Sequence, residues 1–183
     1  SDKNLAEPQG SLLTVSGDAS FRRYFRQPLV QGSYIAVDAP PDKENSAPFV
    51  NIANEWFAEG VNVPQIIHAD LKKGFMLLSD MGDQMLYPLL EGGQAAAYYP
   101  KALDSLIGIQ QTQYSLPLYD AALLDREMAL FTDWYLAEHL QFPLTRNDKF
   151  MLEETFELLR ESALGQIQAP VHRDYHSRNI MVL

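Results

Sequence analysis

The stretch that decides the fold is His172-Arg173-Asp174-Tyr175-His176-Ser177-Arg178-Asn179, which runs straight into Ile180-Met181-Val182-Leu183. It sets two histidines, two arginines, an aspartate and an asparagine against an apolar run. One reading is a polar loop whose His and Asp make only local hydrogen bonds. The other is a loop that carries chemistry. The rest of the chain bears on the choice.

With 183 residues the chain suffices for one ordinary domain or two small lobes. Apolar residues make up 46 %, enough for a packed core. The absence of cysteine excludes a disulfide scaffold and a thiolate metal site and fits a reducing compartment. No apolar run approaches the roughly 20 residues of a membrane span, and the first residues, SDKNLAEPQG, hold no apolar signal core. A cytoplasmic location is therefore expected. The net charge of -10 suits neither a nucleic-acid backbone nor an anionic membrane surface. It does not oppose one nucleotide in a locally basic pocket. Oligomeric state is left open.

The first half is punctuated by Gly and Pro. LLTVSGDASFRRYFR reads as strand, tight turn and strand around Gly17-Asp18, and SYIAVDAPP as a third strand stopped at Pro40-Pro41. Phe49, Ile52, Ala53, Trp56 and Phe57 then recur at helical spacing, with Ser46 as N-cap and Gly60 as stop. VPQIIHAD and GFMLLSD complete the half as strands. MLYPLLEGGQ reads as a connector. The second half is helical: KALDSLIGIQQ after Pro100, the long AALLDREMALFTDWYLAEHL capped by Asp120, and DKFMLEETFELLRESAL up to Gly165. Residues 1–82 and 83–183 are the expected divisions.

The terminal motif has the spacing His-x-Asp-x-x-x-x-Asn. Phosphoryl transfer from a nucleotide needs an acceptor hydroxyl held in line and phosphate charge neutralised by Mg²⁺. Asp174 is placed to accept the hydroxyl proton. The Asn179 amide oxygen, five residues on, can hold Mg²⁺ in the way kinases do before a short strand.

Together SGDASFRRYFR, FMLLSDMGD, FTDWYLAEHL and HRDYHSRN resemble the aminoglycoside phosphotransferase and choline kinase family, a branch of the protein-kinase-like fold. His176, where protein kinases usually carry Lys, favours this branch. Among its members the chain is most similar to a bacterial subgroup of anomeric N-acetylmuramate and N-acetylglucosamine kinases of cell-wall recycling. The resemblance runs from about Leu12 to Leu183. It implies an α+β two-lobe fold, with a sheet-bearing N-lobe over 1–82 and an incomplete helical C-lobe beyond. It implies ATP and Mg²⁺, and a small hydroxyl acceptor such as an amino sugar. In this likeness His172 and Asp174 serve catalysis and Asn179 binds the metal. Ser16, Gly17, Asp18, Ala19 and Ser20 form the turn over the phosphates. Ser79, Asp80 and Met81 form the hinge beside adenine.

The chain departs from that pattern twice. The family's third-strand Lys, paired to a helix Glu, has no counterpart in Tyr34-Ile35-Ala36-Val37-Asp38. Glu55 stands where the Glu belongs. Arg22, Arg23 and Lys43 are the cations that could replace the Lys. Alternate strand residues face opposite sides, and Arg23 is the first choice, held by Glu55. The second departure is the end. The family's second metal-binding Asp and its acceptor-binding helices come after the Asn strand, and an unpaired apolar strand is a poor terminus. A fragment is expected, inactive alone. The missing Lys keeps a nucleotide-binding module without turnover, a pseudokinase, as the alternative. Acceptors of the aminoglycoside or choline type are a further one.

Elsewhere blander readings hold. His68 and His139 read as structural histidines. Trp134, Tyr135 and Phe131 read as core with Trp56 and Phe57, and Glu153-Glu154 as a solvated helix face. No Gly-x-Ser-x-Gly elbow supports a hydrolase.

Overall fold

Alternating apolar residues give one antiparallel sheet in the computed structural model, which describes residues 7–15 and 21–183. Its strands are β1 (Leu13–Thr14), β2 (Arg23–Pro28), β3 (Ser33–Asp38), β4 (Ile66–Asp70) and β5 (Phe75–Ser79), in the order β1-β2-β3-β5-β4. Helix α1 (Ala47–Ala58) lies between β3 and β4 in the chain. The register sets Tyr24 opposite Val37, Val37 opposite Met76 and Ile35 opposite Leu78. These residues share one face. Against it α1 presses Val50 and Ala53, and Ile66 and Ala39 close the core. Burying an aliphatic side chain of this size stabilises by roughly 1.5–3 kcal/mol.

Two details position the strands. At the turn between β4 and β5, Gly74 has φ 79° and its carbonyl accepts from Ala39 N at 2.8 Å. A Cβ there would lie 2.2 Å from Ala39 O, so only glycine fits. At the start of α1, Ser46 occupies the N-cap but its hydroxyl bonds nothing. Asn45 Oδ1 accepts from Ala47 N at 3.2 Å instead, and Pro48 fixes the first turn.

The stretch read as a connector holds a helix, α2 (Leu86–Glu91), and α3 spans Ala95–Gln110. The start expected after Pro100 is displaced: Pro100 lies inside α3, where it removes one i→i−4 bond without ending the helix. The Glu59 carboxylate, just past α1, accepts from Gln113 N at 2.7 Å and Tyr114 N at 3.2 Å. It thereby ties the ends of α1 and α3 together.

By its contacts the chain forms two compact units. The first runs to Tyr114 and takes in Pro170–Leu183; the second is Ser115–Ala169. In the second, Asp120 caps α4 (Ala121–Leu130) by accepting from Leu123 N at 2.9 Å. Thr145 and Asp148 make a capping box at the start of α5 (Arg146–Leu164). The long helix expected after Asp120 changes pitch: Phe131–His139 is π-helical, with Leu140 N bonded five residues back to Tyr135 O at 3.0 Å. Phe131, Tyr135 and His139 stack on one another there, with ring centroids 5.6 and 5.8 Å apart. Trp56 is buried as expected. Phe57, Phe131, Trp134 and Tyr135, read as core, are exposed: apolar spacing marks a face and does not supply its cover.

Candidate active site

The terminal segment belongs to the sheet-bearing unit. Arg173 takes a left-handed backbone, φ 70°, uncommon for a residue with a Cβ. The chain then doubles back: His176 N donates to Asp174 O at 3.1 Å and Asn179 N to His176 O at 2.8 Å. That turn brings Asp174 and Asn179 together. Asn179 Nδ2 donates to Asp174 Oδ2 at 2.6 Å and to its backbone oxygen at 3.1 Å. His176 Nε2 stands 3.2 Å from Asp174 Oδ1. One carboxylate oxygen is held by an amide and the other by an imidazole. His176 Nδ1 accepts from Arg178 N at 3.2 Å, which leaves the proton of a neutral ring on Nε2, facing Asp174. Asp174 and Asn179 are both exposed, within reach of a solute.

The loop is fastened on several sides. Leu86 N donates to Ile180 O at 2.8 Å, Tyr87 N to Ser177 O at 3.0 Å and Val182 N to Gln84 O at 2.8 Å. Met85 pairs with Met181 in an antiparallel bridge. The Arg178 guanidinium lies 4.2 Å from the centre of the Tyr87 ring. Tyr175 OH donates to Ala102 O in α3 at 2.5 Å, and burial raises the pKa of the phenol, keeping it a donor. His172 packs edge-on to Tyr175, with centroids 5.4 Å apart, and 6.4 Å from the Trp56 ring of α1. Burial pushes the His172 pKa down, Asp174 pulls it back up, and His176 adds to the depression. His172 is thus a neutral ring wedged beneath the loop, while Asp174 faces outward.

The other expected site residues are more scattered. Ser16 to Ser20 lie outside the described residues. Ser79 is committed to Gln65, just before β4: it donates from N to Gln65 O and accepts from Gln65 N through Oγ, both at 2.9 Å. The Asp80 side chain, only 8 % exposed, takes the Arg26 guanidinium through Nε at 2.5 Å. Met81 is half-buried beside it. Arg23 is ion-paired with Asp38, its cross-strand partner, and its side chain is 68 % exposed. It is not brought to Glu55, which lies on the exposed part of α1. Because Tyr24 packs into the core, alternation sets Arg23 on the sheet face away from α1. Arg22 lies against α1, 5.3 Å from the Phe49 ring centre and 3.5 Å from the Glu44 carboxylate. Lys43 sits 4.8 Å over the Phe21 ring.

Sequence reasoning missed Tyr175, Arg26 and the docking stretch Gln84–Tyr87. Tyr175 alternates with the polar residues around it, the one signal for an inward anchor. Nothing local distinguishes Arg26 from Arg22 and Arg23. Among the described residues no three His, Cys, Asp or Glu side chains gather as a metal site. Asp174 and Asn179 offer oxygen donors only, a set that suits Mg²⁺, which takes few protein ligands and keeps waters and phosphate oxygens. Also among the described residues, no helix is long and apolar enough to cross a membrane.

The chain matches known proteins along most of its length. It is 44 % identical over 177 residues to an N-acetylmuramate/N-acetylglucosamine kinase of Pseudomonas aeruginosa, covering 96 % of this chain and 52 % of the relative. A kinase of the same name from Pseudomonas putida is 42 % identical, covering 95 % and 52 %. One from Neisseria meningitidis serogroup B is 36 % identical, covering 93 % and 53 %. The chain spans about half the length of these curated relatives. The model of the phosphotransferase enzyme family (APH) matches residues 11–183, from before the first strand through the loop of Asp174 and Asn179. With an antiparallel sheet, one helix against it and that loop in the same unit, the chain belongs to the phosphotransferase enzyme family.

Proposed function

We propose that the chain carries the nucleotide-binding sheet and catalytic loop of an ATP-dependent kinase that phosphorylates a hydroxyl of an amino sugar, in the cytoplasm. One observation carries the reading: an exposed Asp174 carboxylate gripped by Asn179 on one oxygen and His176 on the other. The names of the relatives support N-acetylmuramate and N-acetylglucosamine as the acceptor class.

The chain's own residues supply positioning. Asp174 accepts the proton of the acceptor hydroxyl as that oxygen attacks the terminal phosphorus and the bond from phosphorus to the bridging oxygen breaks, with ADP as the leaving group. His176 and Asn179 stop the carboxylate from rotating, and the anchors of Tyr175 and Arg178 stop the loop from drifting. Asn179 donates through Nδ2, which leaves Oδ1 as the acceptor for a Mg²⁺ ion. Bound there with the nucleotide, Mg²⁺ would neutralise phosphate charge. Ser16 to Ser20 would cover the phosphates and Ser79 to Met81 would meet adenine. For the cation that replaces the missing Lys, the placement of Arg22 against α1 favours it over Arg23.

Asp174→Asn in the intact protein is expected to lower turnover about 10²- to 10⁴-fold with ATP affinity nearly unchanged. Turnover within threefold of wild type would remove Asp174 from this role. A second reading, nucleotide binding without turnover, is favoured by β3, where Asp38 ends the strand and is spent on Arg23. An intact protein that binds Mg²⁺–ATP and phosphorylates no amino sugar would support it.

A further inference from the structure

Among the described side chains, Arg26 links parts of the first unit that are far apart in sequence. It leaves β2 and forks onto Asp80, Nε to Oδ2 at 2.5 Å and Nη2 to Oδ1 at 3.1 Å. Nη1 reaches Asp83 at 2.9 Å and Nη2 also donates to Gly82 O at 3.1 Å. Ser33 Oγ, on β3, donates to Asp80 Oδ2 at 2.6 Å. Asp80 Oδ1 in turn accepts from Gly82 N at 2.9 Å, closing a turn in which Gly82 has φ 87°. Burial pushes the Asp80 carboxyl up, but the bonds from Arg26, Ser33 and Gly82 N together outweigh it and hold it low. The carboxylate is therefore charged, nearly buried and fully engaged.

The same stretch continues into Gln84–Tyr87, whose backbone bonds hold the terminal loop. One end of Asp80–Tyr87 is pinned to the sheet through a side-chain network. The other is pinned to the loop of Asp174 through backbone. A lysine at position 26 could not serve as well, because only a planar guanidinium meets both carboxylate oxygens and a carbonyl at once.

We propose that Arg26 is a positioning residue: by clamping Asp80–Gly82 to β2 it holds the backbone edge that meets the adenine ring and so sets selectivity for the base. This rests on the reading of Ser79 to Met81 as the adenine-facing hinge. Arg26 touches no nucleotide in this scheme; it acts through Asp80 and Gly82.

The test compares ATP with inorganic tripolyphosphate, which has a similar chain of charges but no base. Affinities are measured for both, with Mg²⁺ present, on the intact wild-type protein, Arg26→Lys and Ser33→Ala. Arg26→Lys is expected to weaken ATP about tenfold, the scale of one charge-assisted bond. Tripolyphosphate affinity should stay within about twofold, and Ser33→Ala should show a smaller loss of the same kind. The KM for ATP should rise more than kcat falls. Equal weakening of both probes would make Arg26 a purely structural residue and overturn the proposal, as would an unchanged ATP affinity. Should Arg26→Lys fail to fold, Ser33→Ala decides alone, since it removes one bond to Asp80 and keeps the ion pair. A wild-type protein that binds ATP no better than tripolyphosphate would instead defeat the hinge reading on which the clamp depends.

Discussion

The sheet-bearing unit buries Val37, Val50, Met76 and Leu78 between β-strands and α1, whereas the helical unit leaves Leu118, Trp134, Phe150 and Leu158 open to solvent. Both have apolar residues in plenty. In the second unit, among the described residues, none of them is buried. The difference lies in what faces each apolar stripe. Period-two alternation in β3 and β5 gives a flat apolar face, and one helix with Val50 and Ala53 three apart covers it. Helix α5 has two stripes. Leu152, Phe156 and Ala163 form a half-buried one. Phe150, Met151 and Leu158 form another, which is exposed. Caps and periodicity are enough to define a helix; a core needs a second surface.

The largest effect should come from the first unit's tightest contact. Gly74→Val places a Cβ against Ala39 O and demands φ 79° of a β-branched residue. Strain and displacement together should cost about 3 kcal/mol or more. Urea melts followed by hydrogen exchange should show lost protection in the strands, with the amides of α4 and α5 unmoved. Loss of protection in both units at once would break the distinction between them.

A pH titration sharpens the comparison through His172. Burial holds its pKa below the ordinary 6.5, so the unfolded chain binds a proton that the folded one refuses. The stability from keeping the ring neutral is whole above pH 6.5 and is lost as pH falls through the lower folded value. The first unit should therefore weaken as pH falls below about 6.5, and His172→Gln should flatten that limb. An unchanged slope in the variant would show that His172 is not the group responsible.

In the second unit the leverage is local. Thr145→Ala removes the capping box of α5 and should cost about 1 kcal/mol, within the range for N-caps. The loss should appear as fraying of the first turn of α5, with the sheet untouched. Destabilisation of the strands by the same variant would mean that the two units fold as one.

Legibility divides along the same line. The strands, α1 and the meeting of Asp174 with Asn179 were readable because period, turn residues and fixed spacing are local properties. The register made Arg23 unreadable: only the pairing of β2 with β3 sets it opposite Asp38, on the face away from α1. Three arginines in one short stretch look alike until the sheet assigns each a face. Pro100 misled because a proline near the start of a helix reads as its first turn, though α3 had begun at Ala95. Trp134 and Tyr135 misled more deeply. Apolar spacing marks a face that prefers burial, and it says nothing of whether anything lies on that face.

The smallest effect is the one that tests this last point. Leu158 lies on the open stripe of α5, 66 % exposed, two residues along from Phe156 on the half-buried one. Leu and Gln have nearly equal helix propensity, so Leu158→Gln changes polarity and little else. If the side chain contacts only water, stability should move by no more than about 0.5 kcal/mol. Self-association at high concentration should fall, because an apolar group leaves the surface. Phe156→Ala should cost more, since its ring is partly covered. Circular dichroism melts and sedimentation of the two variants would check both expectations. A Leu158→Gln variant that loses more than about 1 kcal/mol would show that the residue is covered in solution. The second unit would then have a core, and the contrast with the first would rest on the sheet alone.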